Sequence, residues 1–203
     1  SFYKGEIKGE VLVEGKNINE YGGELSQKIG FVFQNPDTQI VTDKVWHELA
    51  FGLESIGMPQ DMIRVRVAEM ASYFGIQNWF YQSTDTLSGG QKQLLNLASV
   101  MVLQPKVLIL DEPTTYVDSN FEKEFYTILE ELNKSLSIVM VSHDLGTICS
   151  YVKTIACVNR ELHYHNSNLI SAEQLQSYHC PIELITHGKI PHRVLKEHEK
   201  GKQ

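Results

Sequence analysis

The run Val107-Leu-Ile-Leu110 leads without a break into Asp111 and Glu112, and two more short apolar runs, Ser137–Val141 and Thr154–Val158, follow it. Runs this short and this continuously apolar read as strands, and apolar spacing places helices between them, at Asn120–Leu132 and, more briefly, Leu145–Tyr151. Buried strands alternating with helices make a parallel sheet covered on both faces. The fold class expected is therefore α/β. With 203 residues, 42% of them hydrophobic, the chain can bury a substantial core as essentially one domain.

The first third adds strand candidates at Glu10–Val13 and Ile29–Phe33, the second ending in Gln34-Asn35-Pro36. The texture then changes. From Asp43 to about Phe80, Val45, Leu49, Leu53 and Ile56, then Ile63, Val67, Met70 and Phe74, recur at helical spacing, with a break at Gly57-Met58-Pro59. This reads as a helical insert within the sheet domain. A third helix is expected from Gln91 to about Leu103, stopped by Pro105. Beyond Asn159 the chain is polar, His-rich and weakly periodic, and Pro181 and Pro191 divide it.

A phosphate-binding loop of the form G-x-x-x-x-G-K-[S/T] wraps the β-phosphate in backbone N–H groups and ligates Mg²⁺ with its hydroxyl. The stretch GEVLVEGKN, Gly9 to Asn17, is the nearest approach to it, and its glycines stand one residue too far apart. Asn17 is also a poor Mg²⁺ ligand, and Val11 and Val13 alternate with Glu10 and Glu14, so the stretch reads as a strand followed by a glycine turn. The formal charge of −7 argues against a broad nucleic-acid surface, which needs a basic face. No apolar run approaches the roughly 18 to 20 residues of a membrane span, and no signal-peptide pattern opens the chain, so a soluble, cytoplasmic protein is expected. Cys149, Cys157 and Cys180 are unevenly spaced and read as reduced thiols rather than a disulfide framework or zinc ribbon.

Two stretches carry chemistry. Asp111 and Glu112 leave the carboxyl end of a buried strand, where ligands sit in open α/β sheets. Adjacent residues on an extended strand face opposite sides, so one carboxylate can support a metal while the other faces a water. In LSGGQKQ, Leu87 to Gln93, Ser88, Gly89 and Gly90 open a helix. Unpaired N–H groups and the positive end of the dipole are offered there with little side-chain bulk to keep an anion away. The plain alternatives are a solvated strand-to-loop turn and an N-cap serine before a flexible glycine pair.

The order Gln34 after a strand, a helical insert, LSGGQ, a strand ending LDEPT, Asp118 and a strand ending VSHD resembles the ATP-binding cassette (ABC) ATPase family over residues from about 5 to 160. LSGGQ some twenty residues ahead of LDEPT is the most specific part. The resemblance implies a P-loop NTPase-like parallel sheet core with a helical subdomain at about residues 37–104, and a polar His-rich extension at 161–203. It implies ATP and Mg²⁺ as cofactors. Glu112, His143 and Gln34 would be catalytic, as general base, γ-phosphate switch and the residue touching both Mg²⁺ and the attacking water. Asp111 would support the Mg²⁺ with Gln34. Ser88, Gly89, Gly90 and Gln91 would grip ATP held by a second ATPase subunit, identical or different, and Asp118 would lie in the loop joining the two. Where many relatives carry Ser-Ala-Leu-Asp, this chain has Thr115-Tyr116-Val117-Asp118, and Tyr116 is bulky for a subunit interface. The strand and phosphate loop that open such a cassette are expected upstream of residue 1, which is Ser and lacks a helix cap or apolar run around it.

A single signature, an acidic balance and a short insert fit a transporter subunit better than a repair or ribosome-bound ATPase of the same family. The stretch FQNPDTQIVTDKVWHELAFGLESIGMP is similar to ATPases of energy-coupling-factor importers, and CVNRELHYHNSN to CPIELITHGKIPHRVL is similar to those of zinc and manganese importers. What the resemblance implies is a nucleotide-binding subunit at the cytoplasmic face of a membrane, driving import of a small nutrient, a transition metal among the candidates, through permease subunits. The alternative is a non-catalytic cassette fragment that binds membrane partners without ATP. Six of the eight histidines fall between His163 and His198. His163 and His165 alternate and could chelate a metal if a third ligand approached, the plain reading being a polar surface tail. His47 reads as a surface or interface residue.

Overall fold

The computed structural model describes residues 9–115, 117–143, 150–159, 161–168, 182–186 and 191–195. The chain divides into two compact units, Ser1–Val141 and Ser142–Gln203. In the first unit β1 (Leu12–Val13) pairs antiparallel with β2 (Lys16–Asn17). The turn residues Glu14 and Gly15 stand at φ 51° and 77°, the two positive values that a type I′ hairpin requires. GEVLVEGKN is thus a strand and glycine turn. Its strand is shorter than Glu10–Val13, because Val11 and Leu12 remain about half exposed and no burial extends it. Glu14 anchors the hairpin, reaching Lys28 Nζ at 2.5 Å and Lys106 Nζ at 2.7 Å. These contacts hold its carboxyl well below the usual carboxylate range, at about 2, the Lys106 hydrogen bond being the largest cause.

The sheet of this unit is parallel, in the order β3 (Ile29–Val32), β4 (Val107–Asp111), β5 (Ser137–Val141). Between β3 and β4 come α1 (Val45–Ser55), α2 (Gln60–Tyr73) and α3 (Gly89–Met101). Their apolar stripe is core as expected: Val45, Leu49, Leu53, Ile63, Val67 and Phe74 are all buried. Ile56, just past α1, at 36% exposed, and Met70 of α2, which is half-buried, are the exceptions. The helical stretch does not run on to Phe80. Gly75, at φ 67°, follows the Phe74 C-cap and ends α2 in the way left-handed glycine ends helices. A Cβ on Gly30 would lie 2.2 Å from Val100 Cγ1, so only glycine lets β3 approach α3 this closely. After β4, α4 (Ser119–Leu132) buries Phe125, Tyr126, Leu129 and Leu132.

Over β3 and β4, cover is complete on one face of this sheet: Val32 of β3 and Leu108 and Leu110 of β4, which share that face, are all 0% exposed. The opposite face departs from the expectation of full cover: Phe31 of β3 is 41% exposed, and Val139 and Val141 of β5, on the same face, are 53% and 50% exposed. In the second unit the expected strand at Thr154–Val158 forms as β6 (Ile155–Asn159), yet it does not continue a parallel sheet. It pairs antiparallel with β7 (Glu161–His165), because a one-residue connection can only reverse the chain. The polar tail holds a second hairpin, β8 (Ile182–Thr186) with β9 (Pro191–Leu195). The helix expected at Leu145–Tyr151 falls mostly on 144–149, outside the described residues.

Candidate functional site

Parallel register sets the first part of the site. Val32 of β3 pairs with Leu110 of β4, and Asp111 pairs with Val141 of β5. β3 ends at Val32 and β4 at Asp111, so Gln34, two residues past β3, and Glu112, one past β4, both follow the carboxyl ends of neighbouring parallel strands. Gln34, Asp111 and Glu112 therefore leave the same carboxyl edge of the sheet, where open α/β folds place their ligands. Asp111 ends β4, and the chain then bends sharply, for Glu112 stands at φ 45°. A left-handed glutamate is strained by roughly 1–2 kcal/mol, and it persists here because its peptide is held on both sides. Its N–H donates to Val141 O at 2.9 Å, and its carbonyl accepts from Thr115 N at 3.3 Å and Thr115 Oγ1 at 3.1 Å. Pro113 behind it is buried.

The second part is the N-terminus of α3, which begins at Gly89, two residues before the expected start. Ser88 and Gln91 form a reciprocal capping box: Gln91 N–H donates to Ser88 Oγ at 3.3 Å and Ser88 N–H to Gln91 Oε1 at 2.9 Å. The N–H groups of Gly89 and Gly90 lie ahead of the first intrahelical bond and stay available to an anion. Gly90 has a packing role besides. A Cβ there would sit 2.9 Å from Cγ and Cδ2 of Phe121 in the first turn of α4. Asp118 caps that helix, its Oδ1 accepting from Asn120 N and Phe121 N at 3.0 Å each. Capping thus accounts for Asp118 whatever else it does, and an Asp followed by Ser-Asn before an apolar-periodic run is a signal that sequence reading can use.

The turn bearing Gln34 is exposed but firmly mounted. Gln39 lends its carboxamide to β3 as a further strand would: Phe33 N–H donates to Oε1 at 2.9 Å, and Nε2 donates to Phe31 O at 3.0 Å. Glu48 of α1, buried at 4% exposure, accepts from Val41 N at 3.1 Å and Thr42 N at 2.8 Å. From there Thr84 Oγ1 donates to Thr42 O and Thr84 N–H to Asp43 O, which ties the segment after Gln34 to the one before LSGGQ. None of these residues carried a sequence signal beyond being a polar group in an apolar helix or a short loop. The segment borders a groove of about 300 Å³ whose lining includes Asp37, Val41, Asp43, Asp85 and Lys92.

Asp111 and Gln34 offer hard oxygen donors, which suit Mg²⁺ when phosphates supply the remaining ligands. Among the described residues no group of three or more His, Cys, Asp or Glu is gathered to hold an ion by itself. His143 follows β5 by two residues and is exposed, within the second unit. In that unit Cys157 pairs with His163 and Ile155 with His165, so the alternating histidines do share one hairpin face. His47 is a surface residue, stacked on Trp46 and 3.7 Å from Glu54.

Residues 2–115 match the family described as ABC transporter. A putative ABC transporter ATP-binding protein of Bacillus cereus is 45% identical over 75% of this chain and 30% of its own length. One from Bartonella henselae is 32% identical over 82% of this chain and 73% of its own. A solved structure, cbiO1 of Clostridium perfringens, described as part of the ABC transporter complex cbiONQ, superposes with a TM-score of 0.71 at 32% identity, covering 78% of this chain and 66% of that one. The chain spans about three tenths of the length of the Bacillus and Methanosarcina relatives it matches.

Proposed function

The chain belongs to the ABC transporter family, and from that membership we propose that it is the nucleotide-binding part of an importer ATPase, coupling ATP hydrolysis to uptake of a small nutrient. The observation that carries the reading is the shared sheet edge of Gln34, Asp111 and Glu112, with Glu112 held in a strained conformation beside it. In phosphoryl transfer, positioning and charge stabilisation do most of the work. Mg²⁺, when bound, supplies the neutralising charge on the phosphates. Asp111 and Gln34 orient that ion through their oxygens, and Glu112 accepts a proton from the attacking water. The α3 N-terminus, from Ser88 through Gly89 and Gly90 to Gln91, faces the γ-phosphate of ATP held by a second ATPase subunit. Asp118 lies near that boundary, and His143 is assigned the part of the γ-phosphate switch.

The partners are membrane-spanning permease subunits, and the groove beside Asp43 and Asp85 supports the reading by offering acidic and apolar surface to a short helix. No described helix is long and apolar enough to cross a membrane, which is consistent with peripheral attachment at the cytoplasmic face. The cargo proposed is a small nutrient, a vitamin or a transition-metal ion, in keeping with the two importer classes that the sequence resembles.

The test uses a chain extended ahead of residue 1 by a strand, a G-x-x-x-x-G-K-[S/T] loop and a helix. In it, Glu112→Gln keeps the shape but loses the charge that draws the proton, and ATP hydrolysis should fall by roughly 10²- to 10⁴-fold with binding retained. Hydrolysis at the parental rate would place the base elsewhere and end the catalytic reading of LDEPT.

A further inference from the structure

We propose that Gln93 and Asn96 are positioning residues for Gln34, two buried carboxamides on one face of α3 that fix the Gln34 turn at a set distance from the Ser88 end of the same helix. The proposal rests on the reading of Gln34 given above and names what holds it. Gln93 is 1% exposed and Asn96 0%. Gln93 Nε2 donates to Phe33 O at 3.4 Å, and Asn96 Nδ2 donates to Pro36 O at 3.1 Å. Those carbonyls bracket Gln34 and Asn35, so the turn is gripped at both of its feet. Lys92 adds an ion pair to Asp37 at 2.6 Å, but Asp37 is 64% exposed there and the pair contributes little.

Positions 93 and 96 are three apart and share a helix face. At 1.5 Å of rise per residue the two attachments lie about 7.5 and 12 Å along α3 from Ser88. A helix, rather than a loop, therefore sets the spacing between the anion-facing end and Gln34. A displacement of the Ser88 end on closing against a partner's nucleotide moves the Gln34 turn with it.

Core stability alone does not select these residues. Asn is a poor helix-interior residue, and a buried carboxamide is costly unless fully bonded. Gln93 Oε1 and Asn96 Oδ1 are buried without a hydrogen-bond partner among the described residues. Leu or Met at either buried site would strand no acceptor. What the carboxamides supply, and an aliphatic side chain does not, is the pair of N–H donors aimed at residues 33 and 36.

The experiment has two arms. Hydrogen exchange of the 203-residue chain is compared with that of Gln93→Met and Asn96→Leu. Amides at residues 33–40 should exchange about fivefold faster in each, as losing one hydrogen bond of ordinary strength implies, while α1 and α2 keep their protection. Unchanged protection at 33–40, or an equal rise throughout α1 and α2, would overturn the clamp. In the extended chain, Gln34→Ala and Gln93→Met should each lower kcat with KM for ATP held within about twofold, and the double variant should be no slower than Gln34→Ala alone. Losses that multiply would overturn action through Gln34. Full hydrolysis by Gln34→Ala, with the local exchange effect intact, would instead refute the Gln34 reading and, with it, the purpose assigned to the clamp.

Discussion

Replacing Gly90 by alanine tests whether the signature glycine is needed by the fold as well as by a ligand. The added Cβ would stand 2.9 Å from Cγ and Cδ2 and 3.3 Å from Cδ1 of Phe121. Favourable carbon contacts lie at about 3.5–4.0 Å, so the ring must retreat by roughly 0.6 Å or more. Phe121 packs on Phe125, 5.8 Å away between ring centres, and cannot swing freely. Overpacking of this degree costs about 1–3 kcal/mol, against which the better helix propensity of alanine returns at most about 1 kcal/mol. A net loss of about 1 kcal/mol is expected in urea unfolding followed by circular dichroism, with the slope unchanged. Gly52→Ala is the reference, because its Cβ would make ordinary contacts of 3.4–3.6 Å with Leu103 inside α1. That change should stabilise by about 0.5–1 kcal/mol. If Gly90→Ala gains as much as Gly52→Ala, the ring is not in the way and the packing argument is wrong.

Asp118→Ala should lower stability by about 1 kcal/mol through loss of the α4 cap, read by thermal unfolding without any nucleotide; an unchanged Tm would remove the cap role. For Glu14 the sign follows from its depressed carboxyl: the tie of the hairpin to Lys28 and Lys106 is complete above about pH 4.5 and is lost as pH falls through about 2. Amide shifts of the hairpin should move in that acidic window in the parent chain and stay flat in Glu14→Gln. Movement near pH 6 instead would assign the titration to another group.

How much the sequence disclosed depended on distance along the chain. The β4 run with Asp111 and Glu112, the α1 and α2 stripes and the helix opening at LSGGQ are local patterns, and each appears where its spacing put it. What holds the site together is not local. Gln93 and Asn96 reach residues sixty positions away, and nothing in their own neighbourhood names Phe33 or Pro36 as partners. The contact of Gly90 with Phe121 joins two helices, and the positive φ of Glu112 depends on a hydrogen bond to Val141 of another strand. β6 was legible as a strand but not in its pairing, for an apolar run does not say which neighbour it will take.

The central claim is that the Asp111–Glu112 edge and the α3 N-terminus are two halves of an ATP site completed by a second subunit. The measurement that bears on it most directly is the solution mass of the extended Glu112→Gln chain by light scattering, with and without Mg-ATP. ATP held without hydrolysis should keep two subunits together, giving twice the monomer mass with nucleotide and the monomer mass once it is removed, while Asp111→Asn, unable to support Mg²⁺, stays monomeric throughout. A Glu112→Gln chain that binds ATP yet remains a monomer, or one that dimerises equally without nucleotide, would contradict the shared site.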